Sequence, residues 1–189
     1  MASSTKRGAR RQTYVALLRG INLGARNKVS MADLRTLIEG LGGEDVATYV
    51  QSGNVVFKSR VKPAELADAI EERIKRDLGL TVTVLLRTKA QLAKVLAGNP
   101  FASRERDPLK LHVTFLAEAP GRDHVRKVEE TQFEPDEFQV AGQEVYLHCP
   151  KGYGRSKLSN AYFEKQLDVA ATTRNWNTVM KLVELSERA

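Results

Sequence analysis

The order of β-rich and helical segments constrains the fold more than any other feature of this chain. Thr13 to Arg19 is β-branched, aromatic and aliphatic, which predicts a buried strand. Ser30 to Leu41 repeats apolar residues at helical spacing, and two β-rich runs flank a Ser52-Gly53 turn signal. A second helical pattern and a strand over Thr81 to Leu86 follow. Residues 13–87 therefore predict β-α-β-β-α-β, the order of ferredoxin-like folds, with both helices on one face of the sheet.

The remaining chain predicts a partial copy of that order. Residues 110–148 have the pattern β-α-β-β, and two helices follow, the last capped by Thr172 and Thr173. A charged loop over 102–109 separates the two patterns. No residue-level repeat relates them, so the second half is interpreted as a related but incomplete βαββ-αα unit.

The expected organisation is an α+β chain with two halves and a tail. Residues 1–12 are polar and basic, which predicts a disordered tail. Residues 13–98 form the ferredoxin-like half, and residues 110–189 form the second half. We expect the two halves to pack together as one compact unit, since 189 residues suit one domain or two small ones.

Composition restricts the compartment and the partners. The chain has no apolar run near the ~20 residues of a membrane span and no secretory signal, and its one cysteine, Cys149, excludes an intramolecular disulfide. We therefore expect a cytoplasmic protein without membrane association. The net charge of +7 favours anionic partners, although four cations lie in the first eleven residues, which contain no acid.

Three cationic segments lie where helices are predicted to begin: a loop from Arg19 to Lys28, a loop from Lys151 to Lys157, and the segment Thr172 to Thr178. Free N–H groups and the dipole at a helix N-terminus favour anions, whereas arginine and lysine there oppose the dipole. Stability alone does not explain such placement. We predict that the three segments converge on a small phosphate- or carboxylate-bearing ligand, such as a nucleotide or phosphometabolite. In the alternative interpretation, the cations of the second and third segments only cap helices, pair with acids such as Glu164 and Asp168, or face water.

Polar and aromatic residues complete the predicted ligand site. Gln51, Ser52 and Asn54 either orient a ligand at the same edge as Arg19 or only form the hairpin turn. Tyr153 and Trp176 are candidates to stack on a base or ring, with a core position the alternative for Trp176. The candidate ligand-binding residues are Arg19, Asn22, Lys28, Gln51, Ser52, Asn54, Tyr153, Arg155, Lys157, Thr173, Arg174, Asn175 and Trp176.

The sequence contains no standard nucleotide loop and no metal-site spacing, and it offers few groups for classical catalysis. It contains neither G-x-x-x-x-G-K-[ST] nor G-x-G-x-x-G, and no His, Cys and carboxylate group has zinc-like spacing. We expect no metal and no cofactor, and we identify no catalytic residue. Whether the protein is an enzyme stays open; one acting here would work by positioning and electrostatics on an anionic substrate.

Two other function classes remain open. A nucleic-acid-binding module suits the basic charge, but the strand LHVTFLA has one Phe and no matching aromatic pair. A structural or protein-interaction domain would use its basic loops only to pair with acidic loops, such as Glu44-Asp45 or residues 134–137. The oligomeric state is open as well.

Five ordered motifs resemble one protein family. YVALLRGIN…NKVSMADLR, TYVQSGNVVF, NPF, GRSKLSN and ATTRNWNT together resemble the bacterial domain-of-unknown-function family numbered 1697, over about residues 13–186. The resemblance implies two ferredoxin-like α+β halves joined in one compact unit. It implies no activity, and it directs attention to most of the ligand-binding candidates above as motif positions.

Overall fold

The computed structural model describes residues 10–22 and 27–189. The predicted tail therefore lies outside the described residues up to position 9, and its last residue, Gln12, begins the first strand. The first half contains β1 (Gln12–Leu18), α1 (Met31–Gly40), β2 (Glu44–Tyr49), β3 (Asn54–Ser59), α2 (Pro63–Leu78), β4 (Val84–Thr88) and α3 (Lys89–Ala97). The second half contains β5 (Leu111–Leu116), α4 (Arg122–Glu129), β6 (Glu137–Ala141), β7 (Glu144–His148), α5 (Asn160–Leu167), β8 (Ala171–Asn175) and α6 (Trp176–Arg188).

Each half builds one antiparallel four-stranded sheet. The strand order is β2-β3-β1-β4 in the first sheet and β6-β7-β5-β8 in the second. In both sheets, two strands joined through a helix are separated by one other strand, the split βαβ arrangement. The predicted α+β class and the βαββαβ order of the first half are confirmed.

Local signals in the first half form the structures that the sequence predicts. Ser30 Oγ accepts a hydrogen bond from the Asp33 N–H (2.9 Å) and caps α1, and Thr88 with Gln91 forms a complete capping box on α3. Gly53 has a φ of +73°, and a Cβ there would lie 2.6 Å from Ile21 Cδ1. Glycine therefore serves both the backbone conformation and close packing at this turn.

The second half contains a strand that the sequence pattern does not predict. Thr172 and Thr173, predicted as caps of the last helix, lie in β8, where they pair with β5. Asn175 is the cap: its Oδ1 accepts from the Thr178 N–H (2.8 Å). The prediction of an incomplete second half was wrong, because β8 completes a second βαββαβ unit. Its short run of Thr and Arg has no apolar alternation that would indicate a strand.

Three apolar clusters hold the helices and the two sheets together in layers. In the first sheet, one face packs against α1 and α2, with Leu34, Ile38 and Ile70 fully buried. One face of the second sheet packs against α4 and α5 around Phe163. The third cluster lies between the sheets and joins their inner faces, for example Leu17 and Phe115, with residues of α3 and α6.

Arg174 of β8 reaches from the second half into the first. Its five guanidinium N–H groups all have acceptors, namely Asn54 Oδ1 (2.6 Å), Thr172 Oγ1 (2.7 Å), Thr173 O (2.9 Å), Leu18 O (2.9 Å) and Ser52 O (3.0 Å). Burial lowers the pKa of Arg174 to about 10. The group stays protonated at neutral pH, so a buried positive charge holds the hairpin turn, the end of β1 and β8 together.

Arg87 of β4 makes the reciprocal contact from the first half to the second. Its Nε donates to Glu144 Oε1 (2.8 Å), and its Nη atoms donate to the carbonyl oxygens of Leu86, Leu116 and Gln143. In both contacts Nε binds the first side chain after a hairpin turn, and Nη2 binds the last carbonyl of the central strand. Both arginines also directly precede the N-cap of a helix. At these positions the halves therefore correspond residue by residue, a relation that the sequence alone does not indicate.

Replacing either arginine should destabilise the fold. Arg174→Gln leaves the carbonyls of Leu18 and Ser52 without a donor, and Arg87→Gln leaves the Glu144 carboxylate unpaired. We expect each change to lower the free energy of unfolding by about 3 kcal/mol, as in other broken buried charge contacts. Urea unfolding measures this, with the exposed Arg60→Gln as a control that changes it by less than about 0.5 kcal/mol. Losses no larger than that of the control would show that the arginines do not hold the halves together.

Candidate functional site

The predicted cation at the end of β1 is engaged by the second half. Arg19 Nε and Nη2 donate to Glu164 Oε1 (2.5 Å) and Oε2 (2.6 Å) of α5. This hydrogen bond raises the pKa of Arg19. Partial burial raises the pKa of Glu164, but its bonds with Arg19 and the Ala171 N–H outweigh that effect and lower it overall. Pairing with Glu164 is what the alternative interpretation of the cations expected, although for other cations than Arg19.

The loop after Arg19 is tied to the hairpin turn by Asn22. Its side-chain amide donates to Val29 O (2.9 Å) and Gln51 O (2.7 Å), and its Oδ1 accepts from the Val29 N–H (2.8 Å). Asn22 has a φ of +55°, a region that Asn tolerates better than most residues. Lys28 is exposed, whereas Arg26, part of the predicted cationic loop, lies outside the described residues.

The QSGN turn is built around its last residue. Asn54 is fully buried, and its side-chain amide donates to Tyr49 O (3.1 Å) and Ser52 Oγ (2.8 Å). Its Oδ1 accepts a hydrogen bond from Arg174 Nε. Gln51 and Ser52 are exposed. Asn54 and the Ser52 carbonyl therefore bind Arg174 of this chain. The carbonyl of Gln51 accepts from Asn22, while its exposed side chain has no hydrogen bond within the part of the chain that the structure describes.

A polar cluster lies on the outer face of the second sheet. Thr173 Oγ1 is 2.7 Å from Thr114 Oγ1 and 2.6 Å from Asn160 Oδ1. Tyr153 stacks on His112, with ring centroids 4.7 Å apart and planes 22° from parallel, and its burial raises its pKa. The ring predicted to stack on a ligand thus stacks on a histidine of the protein itself.

Two further candidates occupy structural positions. Trp176 is 6% exposed and packs in the cluster between the sheets, which is the alternative given for it. Asn175 caps α6. Several motif residues therefore do meet where the halves join. Seven of them make hydrogen bonds to other residues of this chain, namely Arg19, Asn22, Ser52, Asn54, Thr173, Arg174 and Asn175.

Arg155 and Lys157 lie elsewhere, on a cleft of about 390 Å³. Lys151 and Gly152 line the cleft with them, and Glu134 and Asp136 form the facing wall. Neither Arg19 nor Arg174 lines this cleft. The sequence predicts residues 134–137 only as an acidic loop that could pair with cations. Because they are far from Arg155 along the chain, the shared cleft could not be predicted.

Comparisons with known proteins identify the family. Residues 11–146 match the family described as a protein of unknown function (DUF1697). This chain belongs to that family. The GRSKLSN and TTRNWNT motifs lie beyond the matched residues.

A solved structure extends the similarity to nearly the whole chain. A conserved bacterial protein, SP0830 from Streptococcus pneumoniae, aligns with a TM-score of 0.74 at 25% identity, covering 94% of this chain and 99% of its own. No curated protein matches the sequence. Among the described residues, no helix is long and apolar enough to cross a membrane, and no group of three or more His, Cys, Asp or Glu residues is arranged to hold a metal ion.

His112 should make stability depend on pH. It is 8% exposed, its Nδ1 has no hydrogen-bond partner among the described residues, and desolvation lowers its pKa from 6.5 to about 4. Between these values the unfolded chain binds a proton that the folded chain does not, so stability falls as pH falls. Between pH 7 and pH 5, the free energy of unfolding should fall by about 2 kcal/mol more in the unmodified protein than in His112→Gln, as measured by urea unfolding. His124→Gln, on the exposed face of α4, is the control, and an equal effect of both would contradict the assignment.

Proposed function

We propose that this protein binds a small ligand that carries a phosphate or carboxylate group, in the cleft between residues 151–157 and 132–136. One observation carries the proposal: Lys151, Arg155 and Lys157 line one cleft, all are exposed, and none has a carboxylate within ion-pair distance among the described residues. Unpaired cations that share a concave surface favour anions. Arg155 can bind two oxygen atoms of such a group at once.

The loop that carries these cations is held in place from both sides. Tyr153, between Lys151 and Arg155, stacks on His112, and the Arg155 N–H donates to Gly152 O (3.1 Å). Ser156 Oγ accepts from the Leu158 N–H (3.0 Å). Side chains on a fixed backbone lose less conformational entropy when a ligand binds, which supports this loop as a binding surface.

The facing wall narrows the class of ligand. Glu134 and Asp136 repel a bare polyanion but accept hydrogen bonds from hydroxyl or ammonium groups. A ligand with an anionic group at one end and such donors at the other, as in a sugar phosphate or a nucleotide, suits both walls. The volume of about 390 Å³ is in the range of small-molecule sites. The same two acids weigh against a nucleic-acid backbone at this surface.

Charge removal on the loop tests the proposal. The double variant Arg155→Gln/Lys157→Gln should bind ribose 5-phosphate, AMP or inorganic phosphate at least about tenfold more weakly, the loss of one charge-assisted contact. Calorimetric titration measures the affinity, and NMR amide shifts locate the site. Arg60→Gln/Lys62→Gln is a matched control, because it removes the same two exposed residue types at the same spacing before α2.

Two results would overturn the proposal. One is the absence of binding to the unmodified protein at millimolar concentrations of each of these probes. The other is an equal effect of the two double variants, which would indicate a response to net charge and not to the cleft.

A further inference from the structure

A second cleft runs along β6, which lies at the edge of the second sheet. We infer that this edge is a docking site for an extended peptide segment in which apolar residues alternate with lysine or arginine. The inference is independent of the anionic ligand proposed above. It rests on an aromatic wall, a strand edge with no partner strand in residues 10–22 and 27–189, and a local charge opposite to that of the whole chain.

The cleft has a volume of about 460 Å³ and an aromatic wall. Phe101, Phe133 and Phe138 line it. Phe138 packs edge-on against Phe163 of the core (5.7 Å between centroids), and Phe133 packs edge-on against Tyr162 (4.9 Å). Aromatic rings anchored in this way are pre-organised apolar contacts, which are enriched at protein interfaces.

The charge of the cleft is negative on a chain whose net charge is +7. Glu129, Glu134 and Asp136 line it and have no ion-pair partner among the described residues. Glu137 is already engaged by Arg104 and His148. Charge complementarity therefore selects a cationic partner for this face.

Arg104 shows how the rim of the cleft holds a cation. Its guanidinium carbon lies 5.0 Å from the centroid of the Phe101 ring, and its Nη2 donates to Glu137 Oε2 (2.6 Å). A cation on an aromatic face beside a carboxylate is a favourable arrangement. A lysine or arginine of a partner would meet the same chemistry at Phe133 with Glu134 or Asp136.

The free backbone edge of β6 determines how a partner peptide would lie, namely extended and alongside β6. β6 pairs with β7 on one side and ends the sheet on the other, so alternate N–H and C=O groups point away from the sheet. An added strand would satisfy these groups, and its apolar and cationic side chains would contact the aromatic residues and the acids that line the cleft. His148 contacts both Glu137 (3.2 Å) and Glu105 (3.1 Å), which fixes the first residue of the edge.

A labelled peptide tests the docking site. The probe is a capped nine-residue peptide of alternating lysine and valine, followed by fluorescence anisotropy against the full chain. Binding should weaken at least tenfold for Glu129→Gln/Glu134→Gln/Asp136→Asn. The matched control Glu65→Gln/Asp68→Asn/Glu72→Gln removes three acids from α2 and should leave it unchanged.

Further controls change the peptide, or the cleft beside Arg155, and leave β6 unaltered. Replacing lysine by glutamate, or methylating alternate peptide nitrogens, should abolish binding. Arg155→Gln/Lys157→Gln should retain it, which separates this site from the proposed anion site. Equal binding of the methylated peptide, equal loss in the two acid variants, or no binding of the parent peptide would overturn the inference.

Discussion

Two buried guanidinium groups join the halves of this protein, and the rest of the architecture depends on them. Burying a charge is costly unless every polar atom finds a partner. Arg174 meets that condition without a carboxylate, through five neutral acceptors, three of which lie on the first half. Because each arginine lies on the last strand of one sheet and binds the hairpin turn of the other, the two sheets fix each other's position.

The two contacts differ at one side chain, and the difference changes the electrostatics of the junction. Arg87 faces the carboxylate of Glu144, whereas Arg174 faces the neutral amide of Asn54. The charge of Arg174 therefore has no directly bonded counter-ion. Glu164, an acid that also connects the two halves, forms its ion pair with Arg19 instead. Most of the motif residues that first suggested a ligand site thus make contacts that join the two halves, and the predicted cations left exposed are Lys28 and those of the 151–157 loop.

The sequence predicts what depends on local chemistry and fails where tertiary contacts decide. Ser30, Gly79 and the Thr88–Gln91 box each determine a helix end through their own backbone contacts, so these ends were predictable. β8 was not, because Thr173 and Arg174 satisfy polar partners across the structure instead of alternating with apolar residues. The interpretation of Arg174 fails for the same reason. An arginine just before a predicted helix suggests donors that a ligand could use, and only the fold shows that all five N–H groups already have acceptors in the chain.

The loop over residues 132–136 separates the two proposed sites and belongs to both. Gln132, Phe133, Glu134 and Asp136 line the cleft beside Arg155 and also the cleft along β6. An anion bound to Arg155 and Lys157 reduces the positive charge facing Glu134 and Asp136, and a cationic peptide on the other side reduces their negative charge. Each ligand therefore changes the field in which the other binds. Since coupling between two sites is reciprocal, any effect of an anion on peptide affinity must equal the effect of the peptide on anion affinity.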